Sequence, residues 1–216
     1  IKEGLIPNGF SEYDGEPMYN SVDASLLFID AVDKYVKYTK DYEFVKDNLY
    51  PKMKEIIDAY VDGIDLDGNN IYLDETDFLL VSGTKHTQNT WMDAKYLNTP
   101  ATPRNGKVVE VNALWYNALK IMEELASKYE AKEKAKEYKK MAEDTKKSFN
   151  AKFYNKKRKA LYDVLGDSKI RPNQLFALSL SHSVIETPVI AEQIIEVVYK
   201  KLLNNYGLQT LAADEE

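Results

Sequence analysis

A helical period that runs, stops and starts again constrains this chain more than any other feature. From Val22 onward the apolar residues Leu26, Ile29, Val32 and Val36 recur at steps of three or four, with Asp30, Asp33, Lys34 and Lys37 between them. That spacing buries one stripe of a helix, and Asn20, Ser21 and Asp23 ahead of it supply capping and acidic first-turn residues. A second helix is predicted from Asp41 to about Asp62. Pro51 kinks it or divides it into a short and a long piece, because proline has no amide donor and its ring crowds the preceding turn. Between Gly63 and Gly106 the period is lost and gives way to turn residues, short apolar runs such as Phe78-Leu79-Leu80-Val81, and Pro100 and Pro103. It returns in Val108–Tyr129, where Val111, Leu114, Trp115, Ala118, Leu119, Met122, Leu125 and Ala126 share a broad face. A Lys-rich helix at Ala131–Phe149, a turn segment at Asn155–Lys169, and helices at Pro172–Leu180 and Val189–Asn204 complete the pattern.

About six helices joined by short connections read as three antiparallel helical hairpins. Packed side by side, their first helices point the same way and their N-termini share a rim, where free N–H groups face outward. The unusual polar and aromatic residues sit before or at those starts: Tyr19–Asp23, then Thr90-Trp91-Met92-Asp93 with Glu110 and Asn112, then Arg171-Pro172-Asn173-Gln174. Gly207-Leu208-Gln209-Thr210-Leu211 stands where a next hairpin would begin. A long aperiodic stretch inside a compact domain is uncommon unless it builds a site, so Gly63–Gly106 is expected to line that rim.

Composition removes several function classes. A net charge of -6 gives no basic field for nucleic acid. The absence of cysteine excludes disulfides and thiolate chemistry and permits a cytoplasmic setting. No apolar run reaches the roughly 18–20 residues that span a bilayer, and no secretory leader is recognisable. A start at Ile1 and an end at Asp214-Glu215-Glu216 read as a segment of a longer chain.

Other local signals resolve to ordinary roles. Asp65-Leu66-Asp67-Gly68-Asn69 resembles the opening of a calcium loop, but Asn70 and Thr76 stand where glycine and glutamate are needed, so it reads as a turn. Lysines from Lys132 to Lys159 alternate with Glu133, Glu137 and Glu143 at helical spacing, the mark of a solvated face. His86 and His182 have no metal-ligand spacing, and no metal or cofactor is called for. Trp115 lies in an apolar stripe and belongs to the core. Ser21, Ser25 and Ser179 lack a nucleophile-elbow context.

The rim carries the pieces of glycoside hydrolysis. That reaction needs a carboxylic acid to protonate the leaving oxygen and a carboxylate to activate water or attack the sugar, and the acid keeps its proton best in a desolvated setting. Asp93, just after Trp91 and Met92, is a candidate, since an indole both shields a carboxyl and stacks on a pyranose. A bare Trp-x-Asp is equally compatible with a loop or N-cap aspartate.

The sequence also resembles a known family. Gln88–Lys95 ("QNTWMDAK"), Thr102–Leu119 ("TPRNGKVVEVNALWYNAL"), Tyr19–Ile29 ("YNSVDASLLFI"), Arg171–Leu180 ("RPNQLFALSL") and Gly207–Leu211 ("GLQTL") are similar, in order, to the glucosidase domain of glycogen debranching enzymes. The resemblance covers nearly the whole chain. It implies an all-α fold, part of a six-hairpin (α/α)6 toroid with the active site at one rim, in which this chain is one incomplete domain completed by the rest of its parent. It implies inverting hydrolysis of the α-1,6-linked glucose at branch points of glycogen or related α-glucans. By resemblance, Asp93 is the catalytic acid, Asp23 holds glucose hydroxyls and Trp91 stacks on sugar. Arg104, Glu110, Asn112, Asn173 and Gln174 line the pocket. The family's general base is a glutamate in a later hairpin, so none is assigned here, Glu110 included. Two departures bear on substrate preference: Gln209 stands where the family usually has arginine, and Ser82–Asn89 lacks the Gly-Pro-rich form common before the Trp-Met-Asp block. The alternatives are another α/α-barrel glycosidase, glucoamylase-like or trehalase-like, and a non-catalytic helical glucan-binding scaffold. A scaffold would leave Asp93 pointing away from Asp23. Half a barrel would also expose apolar inner-helix faces, so the segment alone is expected to be poorly stable or to associate.

Overall fold

The computed structural model describes residues 1–97, 99–130 and 132–215, apart from the side chain of Asp67; the expected helix start at Ala131 and the terminal Glu216 lie outside the described residues. Seven helical segments carry the body: α1 (Ala24–Thr39), α2 (Tyr42–Phe44), α3 (Tyr50–Asp62), α4 (Val109–Tyr129), α5 (Lys132–Phe153), α6 (Phe176–Ser179) and α7 (Pro188–Leu202). The stop at Pro51 has a local cause. Residues Val45–Leu49 form a π-helical turn between α2 and α3, and the Tyr50 N–H reaches the Val45 carbonyl. Widening the helix there accommodates a proline at the start of α3, which has no amide to continue the ladder.

Of the helix pairs predicted from loop length, α4 with α5 packs extensively and α1 with α3 far less. α1 packs on α4, α4 on α6 and α5, and α7 against the 3-10 turn Pro172–Leu175 that leads into α6. Central α4 is buried along its whole first half, including Glu110, Asn112 and Asn117, because neighbours cover it on every side. Trp115 is fully buried there, stacked on Tyr60 with ring centroids 6.3 Å apart, as its place in the apolar stripe predicts.

One expectation is corrected. The described residues are not purely α-helical: they carry five two-stranded antiparallel hairpins, formed by β1 (Gly9–Phe10) with β2 (Pro17–Met18), β3 (Tyr72–Asp74) with β4 (Leu79–Val81), β5 (Lys95–Tyr96) with β6 (Thr99–Pro100), β7 (Tyr154–Asn155) with β8 (Ala160–Leu161), and β9 (Leu203–Asn204) with β10 (Gly207–Leu208). Two of these lie in the supposedly irregular stretch from Gly63 to Gly106. There Leu73 and Leu80 pair across β3 and β4 and bury themselves, too short a run to show a period of two. The helices close no ring among the described residues. The third inner element is short, because the chain leaves α6 extended at Leu180 and restarts only at Pro188, where the Thr187 side chain accepts from the Ile190 N–H.

Candidate functional site

The N-terminus of α1 is built as a fixed wall of the site. Ser21, not Asp23, caps the helix, its Oγ accepting from the Ala24 N–H at 3.2 Å. The Tyr60 hydroxyl, its pKa pushed up by burial, donates to the Val22 carbonyl at 2.7 Å, and the Val22 N–H donates to the Asn89 carbonyl at 2.8 Å. Asp23 is thereby free of capping duty. One of its oxygens accepts from the Ser21 hydroxyl and the other from the Trp91 backbone N–H at 2.9 Å. The carboxylate expected to hold sugar hydroxyls pins the loop that carries Trp91, while each oxygen keeps a second lone pair.

Trp91 is held at a second point. Its Nε1–H donates to Asn173 Oδ1 at 2.9 Å, and Asn173 Nδ2 in turn donates to Asp163 Oδ1 at 2.8 Å. Asp163 is the hub of a buried ionic cluster. Arg104 donates to both Asp163 oxygens (Nε to Oδ2, 2.7 Å; Nη2 to Oδ1, 3.0 Å) and to both Glu110 oxygens (2.5 and 2.6 Å), with a longer 3.3 Å bond to Thr90 Oγ1. Arg171 stands 3.5 Å from Asp163. Burial alone would lower the Arg104 pKa, but hydrogen bonds and attraction from Glu110 and Asp163 hold it above its ordinary value. Burial raises the Glu110 pKa against the opposing pull of Arg104, with Asp163 adding to the rise. Arg104, Glu110 and Asp163 are each about 98–99% buried, so Arg104 binds carboxylates, not solvent or ligand.

Two cavities meet at Trp91, which is 49% exposed. One, of about 450 Å³, is lined by Asp93, Trp91, Thr90, Asp23 and Ser21 together with Ile6–Asn8 of the N-terminal segment. The other, of about 290 Å³ and almost wholly apolar, lies between α1, α4 and α6 and is lined by Asp23, Leu27, Trp91, Glu110, Leu114 and Phe176. Asp93, which lines the first cavity, is solvent-exposed. The larger cleft of about 540 Å³ between α3 and α5 touches none of these residues.

Over residues 1–216 the chain matches the family model described as amylo-alpha-1,6-glucosidase. The chain belongs to the amylo-alpha-1,6-glucosidase family. It is also similar to the glycogen debranching enzyme of Saccharomyces cerevisiae, at 28% identity over 59% of this chain, and it spans 12% of that relative's length. In fold it resembles a rhamnosidase from Klebsiella oxytoca solved with rhamnose bound (TM-score 0.64, 15% identity, 95% of this chain and 35% of that one). It also resembles the GH78 family rhamnosidase of Bacillus sp. GL1 (TM-score 0.60, 18% identity, 80% and 17%).

Within this amylo-alpha-1,6-glucosidase family member, the residues singled out from sequence divide into three groups. Asp93, Trp91, Asp23 and Glu110 reach the two cavities. Arg104 and Asn173 stand one layer behind, holding Glu110 and Trp91. Asn112 and Gln174, expected to line the pocket, do not. The Asn112 amide accepts from the Leu80 N–H (2.7 Å) and donates to the Leu80 and Val108 carbonyls, and so ties β4 to α4. The Gln174 amide accepts from the Leu161 N–H (3.1 Å) and donates to the Arg171 carbonyl. Both are buried, and their polar atoms serve backbone groups rather than a cavity. Sequence reasoning missed Asp163, which sits in a turn segment without pattern, and the N-terminal Ile6–Asn8, which precedes the first recognisable helix.

Proposed function

We propose that this chain supplies the proton donor and part of the sugar pocket of an α-1,6-glucosidase acting on branch-point glucose of glycogen or a related α-glucan in the cytoplasm. Asp93 protonates the glycosidic oxygen as it leaves, Trp91 stacks on the sugar, and Asp23 steadies both the Trp91 loop and a sugar hydroxyl. The observation that carries the reading is that Asp93, Trp91 and Asp23 line one cavity, the arrangement a non-catalytic scaffold has no reason to build. Family membership supports an α-glucan substrate, and the rhamnosidase likenesses speak only to fold.

In this reading hydrolysis inverts the anomeric centre, which needs a second carboxylate about 6.5–9.5 Å from the first with water between them. Glu110 does not fill that role, because both its oxygens are engaged by Arg104 and a base must reach water. By resemblance to the family, the base is a glutamate in a later hairpin of the parent protein.

The test uses the full-length parent protein and an oligosaccharide bearing a single α-1,6 glucosyl stub. Asp93→Asn, with folding intact, is expected to lower glucose release by at least about a hundredfold, the usual weight of a general acid. NMR of the first-formed glucose is expected to show the β-anomer. Near-normal release by Asp93→Asn removes Asp93 from the mechanism, and an α-anomer first product refutes inversion.

A further inference from the structure

Asp163 lines neither cavity at Trp91 and matches no sequence motif, yet the loop before Asp93 depends on it. An asparagine amide has two ends that differ only in hydrogen-bond sense, so something must decide which end faces Trp91. Asp163 decides it. As an acceptor-only carboxylate it admits only the NH2 end of Asn173, which leaves Asn173 Oδ1 to receive the indole N–H. Asp163 is itself immobilised by two Arg104 hydrogen bonds and by Arg171 at 3.5 Å. The same Arg104 reaches Thr90 Oγ1, one residue before Trp91. The loop is thus fastened by Asp23 at its backbone and by the chain Asp163–Asn173–Trp91 at its ring.

We propose that Asp163 is a positioning residue for the sugar-binding face of Trp91, acting through the amide of Asn173, and that it sets substrate affinity more than the chemical step. This rests on the reading of Trp91 as a sugar-stacking side chain beside Asp93. Held at Nε1, the indole cannot swing about its side-chain torsions, so a half-exposed ring presents one fixed face to both cavities. Asp163→Asn removes the rule. A single oxygen cannot satisfy Arg104 and also reject the wrong end of Asn173, so the Asn173 amide populates the flipped state, in which two donors oppose each other and the indole is released. Arg104 keeps Glu110 as partner, so the cluster loses charge balance but not its anchor.

The experiment uses the full-length parent protein labelled with 5-fluorotryptophan. The Trp91 fluorine resonance is assigned by its absence in Trp91→Phe. Asp163→Asn is expected to shift or broaden that resonance while leaving the others in place. It is also expected to raise KM for the glucosyl-branched oligosaccharide about three- to tenfold, the weight of one net hydrogen bond, with kcat little changed. Asn173→Leu, which leaves the Arg104–Asp163 pair intact, is expected to do the same and stands in if Asp163→Asn fails to fold. An unmoved Trp91 resonance in both variants overturns the proposal, as does a moved resonance with unchanged KM on a substrate the wild type hydrolyses. If the wild type releases no glucose, the glucosidase reading fails on its own, and the fluorine spectrum still decides whether Asp163 positions Trp91. A merely structural Asp163 would lower the melting temperature and leave the resonance where it was.

Discussion

Arg104→Met tests whether the cluster behind the site is an ionic structure or only a packing one. Methionine fills most of the space of the arginine stem but carries no charge. The guanidinium makes four short bonds to two carboxylates, and all three side chains are buried to about 98% or more. In the wild type Arg104 and Arg171 balance Glu110 and Asp163. After substitution Arg171 still faces Asp163, so the uncompensated charge is that of Glu110. Leaving one buried partner of an ion pair unpaired costs about 3–5 kcal/mol, which for a domain of this size lowers the melting temperature by roughly 6–20 °C.

The pH dependence of that loss has a definite sign. Burial already raises the Glu110 pKa, and Arg104 opposes the rise, so removing Arg104 raises it further. A carboxyl whose folded-state pKa lies above its unfolded value contributes stability that is present below the unfolded pKa and lost as pH rises through the folded one. The gap between variant and wild type should therefore widen from pH 5 to pH 8, while effects of other groups cancel in the difference. Urea unfolding followed by circular dichroism at several pH values measures it. A loss under about 1 kcal/mol, or a gap that does not grow with pH, would refute the argument that Glu110 is held as a buried anion by Arg104.

Three further outcomes follow from other parts of the structure. Asn112→Leu strands the buried Leu80 N–H and carbonyl, which should cost about 2–6 kcal/mol in thermal unfolding at about 1–3 kcal/mol for each unpaired group; KM should not move, since the amide touches neither cavity. Gly4→Ala should lower the melting temperature measurably, because Gly4 has φ +79° and an added Cβ would stand 2.2 Å from the Ala59 Cβ on α3. Lys107→Met should flatten the acid limb of the stability curve. Hydrogen bonds from Lys107 hold the Asp74 pKa below its ordinary value, and at Asp77 those from Lys107 and Lys152 outweigh burial to do the same. Stability from such depressed carboxylates is present above about pH 4 and lost as pH falls through the folded values, so acid titration by circular dichroism would show an unchanged limb if the lysine were idle.

What could be read from sequence follows a physical line. The helices were legible because one buried face imposes a period, and the break at Pro51 because proline imposes a defect, here a π-turn rather than a kink. The small hairpins were not legible. β3 and β4 are three residues each, and a period of two needs more length than that to emerge from turn-rich surroundings. The convergence of the starts of α1, α4 and α6 on one cavity was legible because hairpin packing fixes which helix ends meet.

The division of labour among the polar residues was beyond the sequence, and the reason is specific. Asn112, Asn173 and Gln174 are all buried amides near helix starts, and nothing in their neighbours distinguishes one that serves backbone from one that serves an indole. The difference lies in the partner brought by another element. For Asn112 that is the Leu80 backbone, reached 32 residues away in sequence. For Asn173 it is Trp91, 82 residues away. A hydrogen bond is decided by which donor arrives, and arrival is a property of the packed array. The same logic explains Asp163: its importance is set by a geometry in which Arg104 supplies its charge balance and Asn173 receives its polarity. The proposed proton donor, Asp93, is by contrast exposed, and its placement follows from the two fastenings of Trp91. Those fastenings are where substitutions should alter affinity before they alter the proton transfer.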